Sequence, residues 1–146
     1  MTGSIEEVIP LVEQAIRLSP RDPYIFNWYS WIGRVHLLQS RTEEAIVWME
    51  KARSANPILP DIRAFLASAY ALGGETERAA AELADARRLA ADDRYTSIAR
   101  YRAIAPVGEV PKIRALFEAT YLAGLRKAGM PEGMTGRFAR AARFLP

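Results

Sequence analysis

The chain has 146 residues, of which 50% are hydrophobic and 25% charged, a composition that predicts one globular domain or part of one. Cysteine is absent, which excludes disulfides and thiolate chemistry and fits a cytoplasmic location. The formal net charge of +3 predicts at most a weak attraction to acidic partners. The N-terminal MTGSIEE has neither the basic nor the apolar region of a signal peptide, and no apolar run approaches the roughly 20 residues that span a bilayer.

The first predicted helix covers about residues 4–19. Ser4 and Glu7 have the spacing of a capping box, in which two side chains satisfy backbone N–H groups at the start of a helix. Pro10 would remove a hydrogen bond within this helix. We therefore expect either a kink at Pro10 or a helix that starts near Ile9.

Two copies of a helical hairpin follow, at about residues 26–59 and 60–93. Small residues and rings recur at an offset of 34 residues: Gly33 with Ala67, His36 with Tyr70, Ser40 with Gly74, Ala45 with Ala79, and Ala52 with Ala86. A period of this length is the signature of stacked helix–turn–helix units. Small side chains at recurring positions let two helices approach to about 8–10 Å between their axes. The sequence therefore predicts an all-α solenoid.

The ends of these helices are marked by local signals. Asp22 and Pro23 suit an N-cap and a first helical residue, so we expect a helix from there to about Gln39. Ser40 with Glu43 predicts the start of the next helix, which should reach about Ala55. In the second copy, Pro60 opens the first helix and Gly73–Gly74 closes it.

The helix at 4–19 matches the second half of a hairpin. Ala15, Leu18 and Pro20 correspond to Ala52, Ala55 and Pro57, at an offset of 37 that implies about three extra residues in the loop before the first full copy. This half repeat is either a lone capping helix or the first element of a fragment cut from a longer protein.

The segment after the second copy departs from the 34-residue register. Asp92–Asp93 can cap a helix that carries Tyr95, Ile98, Tyr101 and Ile104. Pro111 then starts a long helix that Gly129 ends, with one face formed by Ile113, Leu116, Phe117, Thr120, Tyr121, Gly124 and Leu125. We predict a degenerate third helix pair at about residues 94–128, within a repeat domain that covers residues 1–132.

The two copies resemble the tetratricopeptide repeat, whose pattern is an aromatic residue, Leu-Gly, Tyr, Ala, an aromatic residue, Ala and Pro. The first copy has Tyr29, Ile32, Gly33, His36, Ala45, Met49, Ala52 and Pro57 at these positions. The second has Arg63, Leu66, Ala67, Tyr70, Ala79, Leu83, Ala86 and Ala91. The departures are His36 for Tyr, Arg63 for the aromatic residue and Ala91 for Pro, and they leave the small residues in place.

A narrower resemblance covers residues 5–132. RLSPRDP, the two copies and LFEATYLAGLRKAGMPE together are similar to the C-terminal repeat region of bacterial class III adenylate or guanylate cyclases. This resemblance implies a regulatory region of a larger signalling protein. The metal-binding and catalytic carboxylates of such a cyclase belong to another domain, so none of them is carried over to this chain.

The sequence predicts no catalytic residue, no metal site and no cofactor. His36 is the only histidine and occupies the ring position of the repeat, which favours a packing role. Without a second histidine or any cysteine, a zinc site is not expected. Gly73–Gly74 lacks the Lys and Ser/Thr of a phosphate loop and follows a helix rather than a strand.

The tetratricopeptide resemblance implies a concave groove lined by the first helix of each pair. The groove candidates are Asn27, Trp31, Arg34 and Leu38 from the first copy, and Asp61, Phe65, Ser68 and Leu72 from the second. Trp31 and Phe65 occupy equivalent positions, 34 residues apart. The alternative is that the chain's own C-terminal helix covers these side chains. The carboxylate clamp of chaperone-binding members is not expected, because its positions hold Ser30 and Arg34.

Three functions remain open at this point. The first is a protein or peptide interaction module, and the second is self-association through the 111–128 helix, Trp48 or the tail. The third is a binder of acidic surfaces through the basic tail at 133–146, although nucleic acid and membrane are the least favoured partners. The tail spaces Arg137, Arg140 and Arg143 by three residues, with Phe138, Ala142 and Leu145 between and after them.

Overall fold

The computed structural model describes residues 5–105 and 110–133, and within these ranges the chain is helical and has no strand. The first six helices are α1 (Ile5–Leu18), α2 (Ile25–Leu38), α3 (Thr42–Ala55), α4 (Pro60–Leu72), α5 (Thr76–Leu89) and α6 (Ile98–Ile104). The C-terminal helix has three parts, namely α7 (Pro111–Phe117), a π-helical turn (Glu118–Leu122) and α8 (Ala123–Lys127).

Consecutive helices pack as pairs. α2 packs against α3, α4 packs against α5, and α3 joins the first pair to the second by its contact with α4. α1 packs against α2 as the second helix of a preceding pair would. The prediction of an all-α solenoid of helix pairs is therefore confirmed.

The recurring small residues lie where the helices cross. Ala45, Ala52, Ala79 and Ala86 are fully buried. At Gly33, a Cβ atom would stand 2.4 Å from Sδ of Met49, far inside van der Waals contact. The close approach of α2 and α3 therefore requires glycine at this position, as the 34-residue pattern predicts.

Two predicted helix starts are wrong for a shared reason, which is that the polar residue belongs to the preceding turn. α2 begins at Ile25, and Oδ1 of Asp22 accepts a hydrogen bond from the Tyr24 N–H at 2.8 Å, so Asp22 closes a turn instead of capping the helix. Ser40 has φ of +61° and ends α2, as Gly74, with φ of +84°, ends α4. α3 then begins at Thr42.

Two further expectations need correction. α1 runs from Ile5 through Pro10, so the helix does not start near Ile9, and the exposed proline ring meets solvent instead of a neighbouring helix. Ser4 lies outside the described residues. α6 is capped by Ser97, whose Oγ accepts a hydrogen bond from the Arg100 N–H at 3.0 Å, and not by Asp92–Asp93. Tyr95 consequently precedes the helix.

The C-terminal helix differs from the long regular helix of the prediction. Its π-helical turn contacts both α2 and α4, and α8 packs along α4. The predicted apolar face is buried at Thr120, Tyr121, Gly124 and Leu125 and only half-buried at Ile113, Leu116 and Phe117. Gly129, with φ of +107°, follows the helix as predicted. The tail beyond Gly133 lies outside the described residues.

Candidate functional site: the concave face of the helix pairs

The second pair's groove is occupied by the chain itself. Phe65 on α4 stacks on Tyr121 of the π-helical turn, with 4.0 Å between ring centroids and 12° between ring planes, and is 4% exposed. Ser68 is fully buried, and its Oγ donates a hydrogen bond to the Tyr121 carbonyl at 2.8 Å. The expectation that Phe65 and Ser68 are exposed is wrong, and the alternative of cover by the C-terminal helix is right for both.

The C-terminal helix approaches α4 closely enough to exclude a side chain. A Cβ atom at Gly124 would lie 2.0 Å from Oγ of Ser68 and 2.6 Å from its carbonyl oxygen. Leu72, at the end of α4, is half-buried beside this contact. The groove at the second pair is therefore a packed helix crossing without room for a ligand.

Asp61 is also held by an internal partner. Its Oδ1 accepts a hydrogen bond from the hydroxyl of Tyr95, a side chain that is almost fully buried. Burial, together with the Asp61 carboxylate, raises the pKa of the Tyr95 hydroxyl. Burial also raises the pKa of Tyr101 and of Tyr121, whose rings meet edge to face 5.5 Å apart. All three phenols therefore stay neutral at physiological pH and extend the core under the groove.

The first pair keeps an open part of the concave face. Trp31 on α2 is 57% exposed, and Asn27 is exposed one turn earlier. Arg34 lies over the Phe65 ring at 4.5 Å and donates from Nε to Oγ of Ser30 at 3.2 Å, so it marks the boundary between the open and the covered parts. Leu38 is half-buried at the end of α2.

An ion network joins the two pairs, and the sequence analysis missed it. The buried carboxylate of Glu82 on α5 accepts hydrogen bonds from Arg53 on α3 and from Nη1 of Arg63 on α4, the latter at 3.2 Å. Arg63 and Glu82 stand 34 residues after Tyr29 and Trp48, whose rings pack 5.9 Å apart in the first pair. The signal was present in the sequence, because Arg63 and Glu82 replace both members of that ring pair together.

His36 packs at the end of α2 beside a cleft of about 420 Å³ that Glu13 and Gln39 also line. The imidazole is buried, and burial lowers its pKa below the ordinary 6.5 although Glu44 and Glu13 act in the opposite direction. In the second pair, the equivalent Tyr70 donates its hydroxyl to Oε1 of Glu50 at 2.9 Å. Glu13 precedes Glu50 by the offset of 37 residues that relates the two segments.

Charged side chains of the second half mostly pair with each other. Glu118 contacts Arg102 and Arg126, Arg126 also binds Glu132, and Asp92 binds Arg94. The two hydrogen bonds from Arg94 lower the pKa of Asp92 to about 2. Over residues 5–105 and 110–133, no three His, Asp or Glu side chains form a metal-binding cluster. Arg137, Arg140 and Arg143 lie outside these ranges.

These features define a helical-repeat protein with a partly filled concave face. The tetratricopeptide repeat family matches residues 36–100, which contain most of both helix pairs, and this match supports a tetratricopeptide repeat protein. Tetratricopeptide repeats generally mediate protein–protein interaction. A comparison with curated proteins finds no match. No helix in the part of the chain that the structure describes is long and apolar enough to cross a membrane.

Proposed function

We propose that this chain is a non-catalytic protein-interaction module whose binding surface is the open part of the concave face, formed by Asn27, Trp31 and Leu38 on α2. The observation that carries the proposal is the exposure of Trp31. A large aromatic side chain that is more than half exposed beside a packed groove is the type of anchor that dominates peptide binding.

The length of this surface is set by the C-terminal helix. Tyr121, Leu122 and Leu125 are fully buried. Burial of each such side chain contributes roughly 1.5–3 kcal/mol, so displacing the three would cost roughly 5–9 kcal/mol, comparable with the stability of a whole domain. The helix is therefore an integral part of the fold, and a ligand has only the α2 part of the groove available.

The proposal can be tested with peptides selected from a displayed random library against the purified chain. We expect the selected peptides to shift the amide resonances of α2 around Asn27 and Trp31. Trp31→Ala should weaken their binding at least about tenfold, which corresponds to about 1.4 kcal/mol, because it removes the central anchor.

Ile58→Ala is the matched control, since Ile58 is an equally exposed apolar side chain in the loop between α3 and α4. It should leave binding unchanged. Peptides that bind Trp31→Ala as tightly as the original chain, or that shift resonances only on α3 and α5, would place the interaction on another surface.

The proposed context is a regulatory region of a larger signalling protein in the cytoplasm, with a nucleotide cyclase as the candidate. It is supported only by the sequence resemblance of residues 5–132 to the repeat regions of bacterial cyclases. Reading the coding sequence upstream of Met1 tests it directly. An in-frame cyclase domain would support this context, and an unrelated upstream domain would refute it without affecting the proposal for α2.

A further inference from the structure

The outer face of α1 carries apolar side chains that no described element covers. Glu7, Leu11, Gln14 and Leu18 follow one another at spacings of four, three and four residues, so they share one face of the helix, and all four are exposed. Leu11 is 66% exposed and Leu18 is 78% exposed. Of the described side chains of α1, Val12 alone is buried, and it lies outside this stripe.

The first full pair shows how such a face is normally used. Trp48 on α3 occupies the position of Leu11, 37 residues later, and its ring packs against Tyr29 of the preceding helix. The described chain contains no helix that could cover Leu11 in the same way. Two exposed leucines one heptad apart form the kind of narrow stripe through which helices pair.

The charges along α1 make this face complementary to itself. Glu7 lies in the first turn, whereas Arg17 lies in the last turn and Arg21 follows the helix. A two-fold axis near Gln14 would bring Leu11 beside Leu18 of the partner subunit. The same axis would bring Glu7 toward Arg21 of the partner subunit, so both apolar and opposite charges meet. Self-complementarity of one patch is what a two-fold interface requires.

We propose that the outer face of α1 is a homodimer interface, in which two copies of α1 pair antiparallel with Gln14 at the axis. The interface is smaller than the roughly 1,600 Å² of a standard stable complex, because each copy contributes one helix of 14 residues. The dimer therefore forms in a concentration-dependent equilibrium. This interface is separate from the peptide surface on α2, and it stands or falls independently of that surface.

A single introduced cysteine gives the sharpest test, because the chain has none of its own. Gln14→Cys should form a disulfide-linked dimer under mild oxidation, and reduction should dissolve it. Ala84→Cys, on the exposed face of α5, is the matched control and should stay monomeric under the same conditions. Equal amounts of crosslinked dimer from the two variants would overturn the proposal.

Charge exchange tests the antiparallel direction. Glu7→Arg and Arg21→Glu should each reduce the dimer fraction measured by sedimentation at a fixed concentration. The double variant should restore that fraction, because the opposite charges then meet again. A parallel pair brings Glu7 against Glu7, so it would not show this recovery, and lack of recovery would overturn the antiparallel arrangement.

Leu11→Asp is the remaining test, because it places a charge at the centre of the stripe without removing a buried side chain. It should yield a monomer at every concentration, with the helical circular dichroism and the peptide binding of the original chain retained. Light scattering that gives a monomeric mass for the original chain at millimolar concentration would refute the dimer.

Discussion

The two helix pairs share one sequence frame but differ in what lies on them. Trp31 and Phe65 are equivalent in the repeat, yet Trp31 is exposed and Phe65 is covered by Tyr121. The outer positions differ in a second way, since Tyr29 and Trp48 form a ring pair where Arg63 and Glu82 form an ion pair. The comparison teaches that the repeat determines where a side chain points, whereas its neighbours outside the repeat determine whether it remains accessible.

The largest expected effect comes from truncating the equivalent rings. Phe65→Ala should lower the free energy of unfolding by about 3–5 kcal/mol, because it opens a cavity against Tyr121. Trp31→Ala should cost less than about 1 kcal/mol, because most of its side chain is already in water. Urea denaturation of the two variants measures the difference. Equal losses would mean that the C-terminal helix does not distinguish the two pairs.

Gly124→Ala should destabilise the chain by about 3 kcal/mol, because the added Cβ meets Ser68 at the contact between α8 and α4. Gly73→Ala is the control, since a Cβ at this exposed position meets nothing closer than 3.4 Å and should cost less than about 1 kcal/mol. Thermal unfolding of both variants tests this prediction. A neutral Gly124→Ala would show that α8 lies farther from α4.

Glu82→Ala should cost about 2 kcal/mol, because it leaves the half-buried guanidinium groups of Arg53 and Arg63 without their shared carboxylate. Asp85→Ala, on the same helix but more exposed, should change stability by less than about 0.5 kcal/mol. The double variant Arg63→Tyr and Glu82→Trp copies the first pair and should recover part of the loss. No recovery would mean that the two outer pairs are not interchangeable units.

The smallest expected effect concerns His36. The folded state binds fewer protons at this group than the unfolded state does, since burial lowers its pKa. Stability should therefore fall as the pH drops from about 6.5 toward the lowered pKa of the folded state. His36→Tyr should remove this dependence and add about 1 kcal/mol by a hydrogen bond to Glu13, as Tyr70 makes to Glu50. Unchanged pH dependence in the variant would exclude His36 as its source.

The sequence predicted the parts of the fold that depend on spacing. Gly33, Ala45 and Ala79 recur because helices must touch there, and touching leaves a regular trace. Ser40 misled the prediction, because a serine in the left-handed position that ends α2 has the same sequence form as an N-cap. Its 34-residue match to Gly74 contained the correct answer.

The cover over the second pair could not be predicted in the same way. The burial of Phe65 and Ser68 depends on the path of the C-terminal helix and on a π-helical turn, and neither follows the repeat. Gly124 was assigned to the apolar face, but its role became apparent only from its distance to Ser68. The open and covered parts of the groove are thus a tertiary property.

The most direct test of this account is the proximity of the Phe65 and Tyr121 rings in solution. With ring centroids 4.0 Å apart, nuclear Overhauser spectra should show strong cross-peaks between their ring protons. Tyr121 cross-peaks to Phe65 would confirm that the C-terminal helix fills the groove of the second pair. Their absence, with the Phe65 ring in contact with solvent, would contradict the account, because the second pair would then be as open as the first.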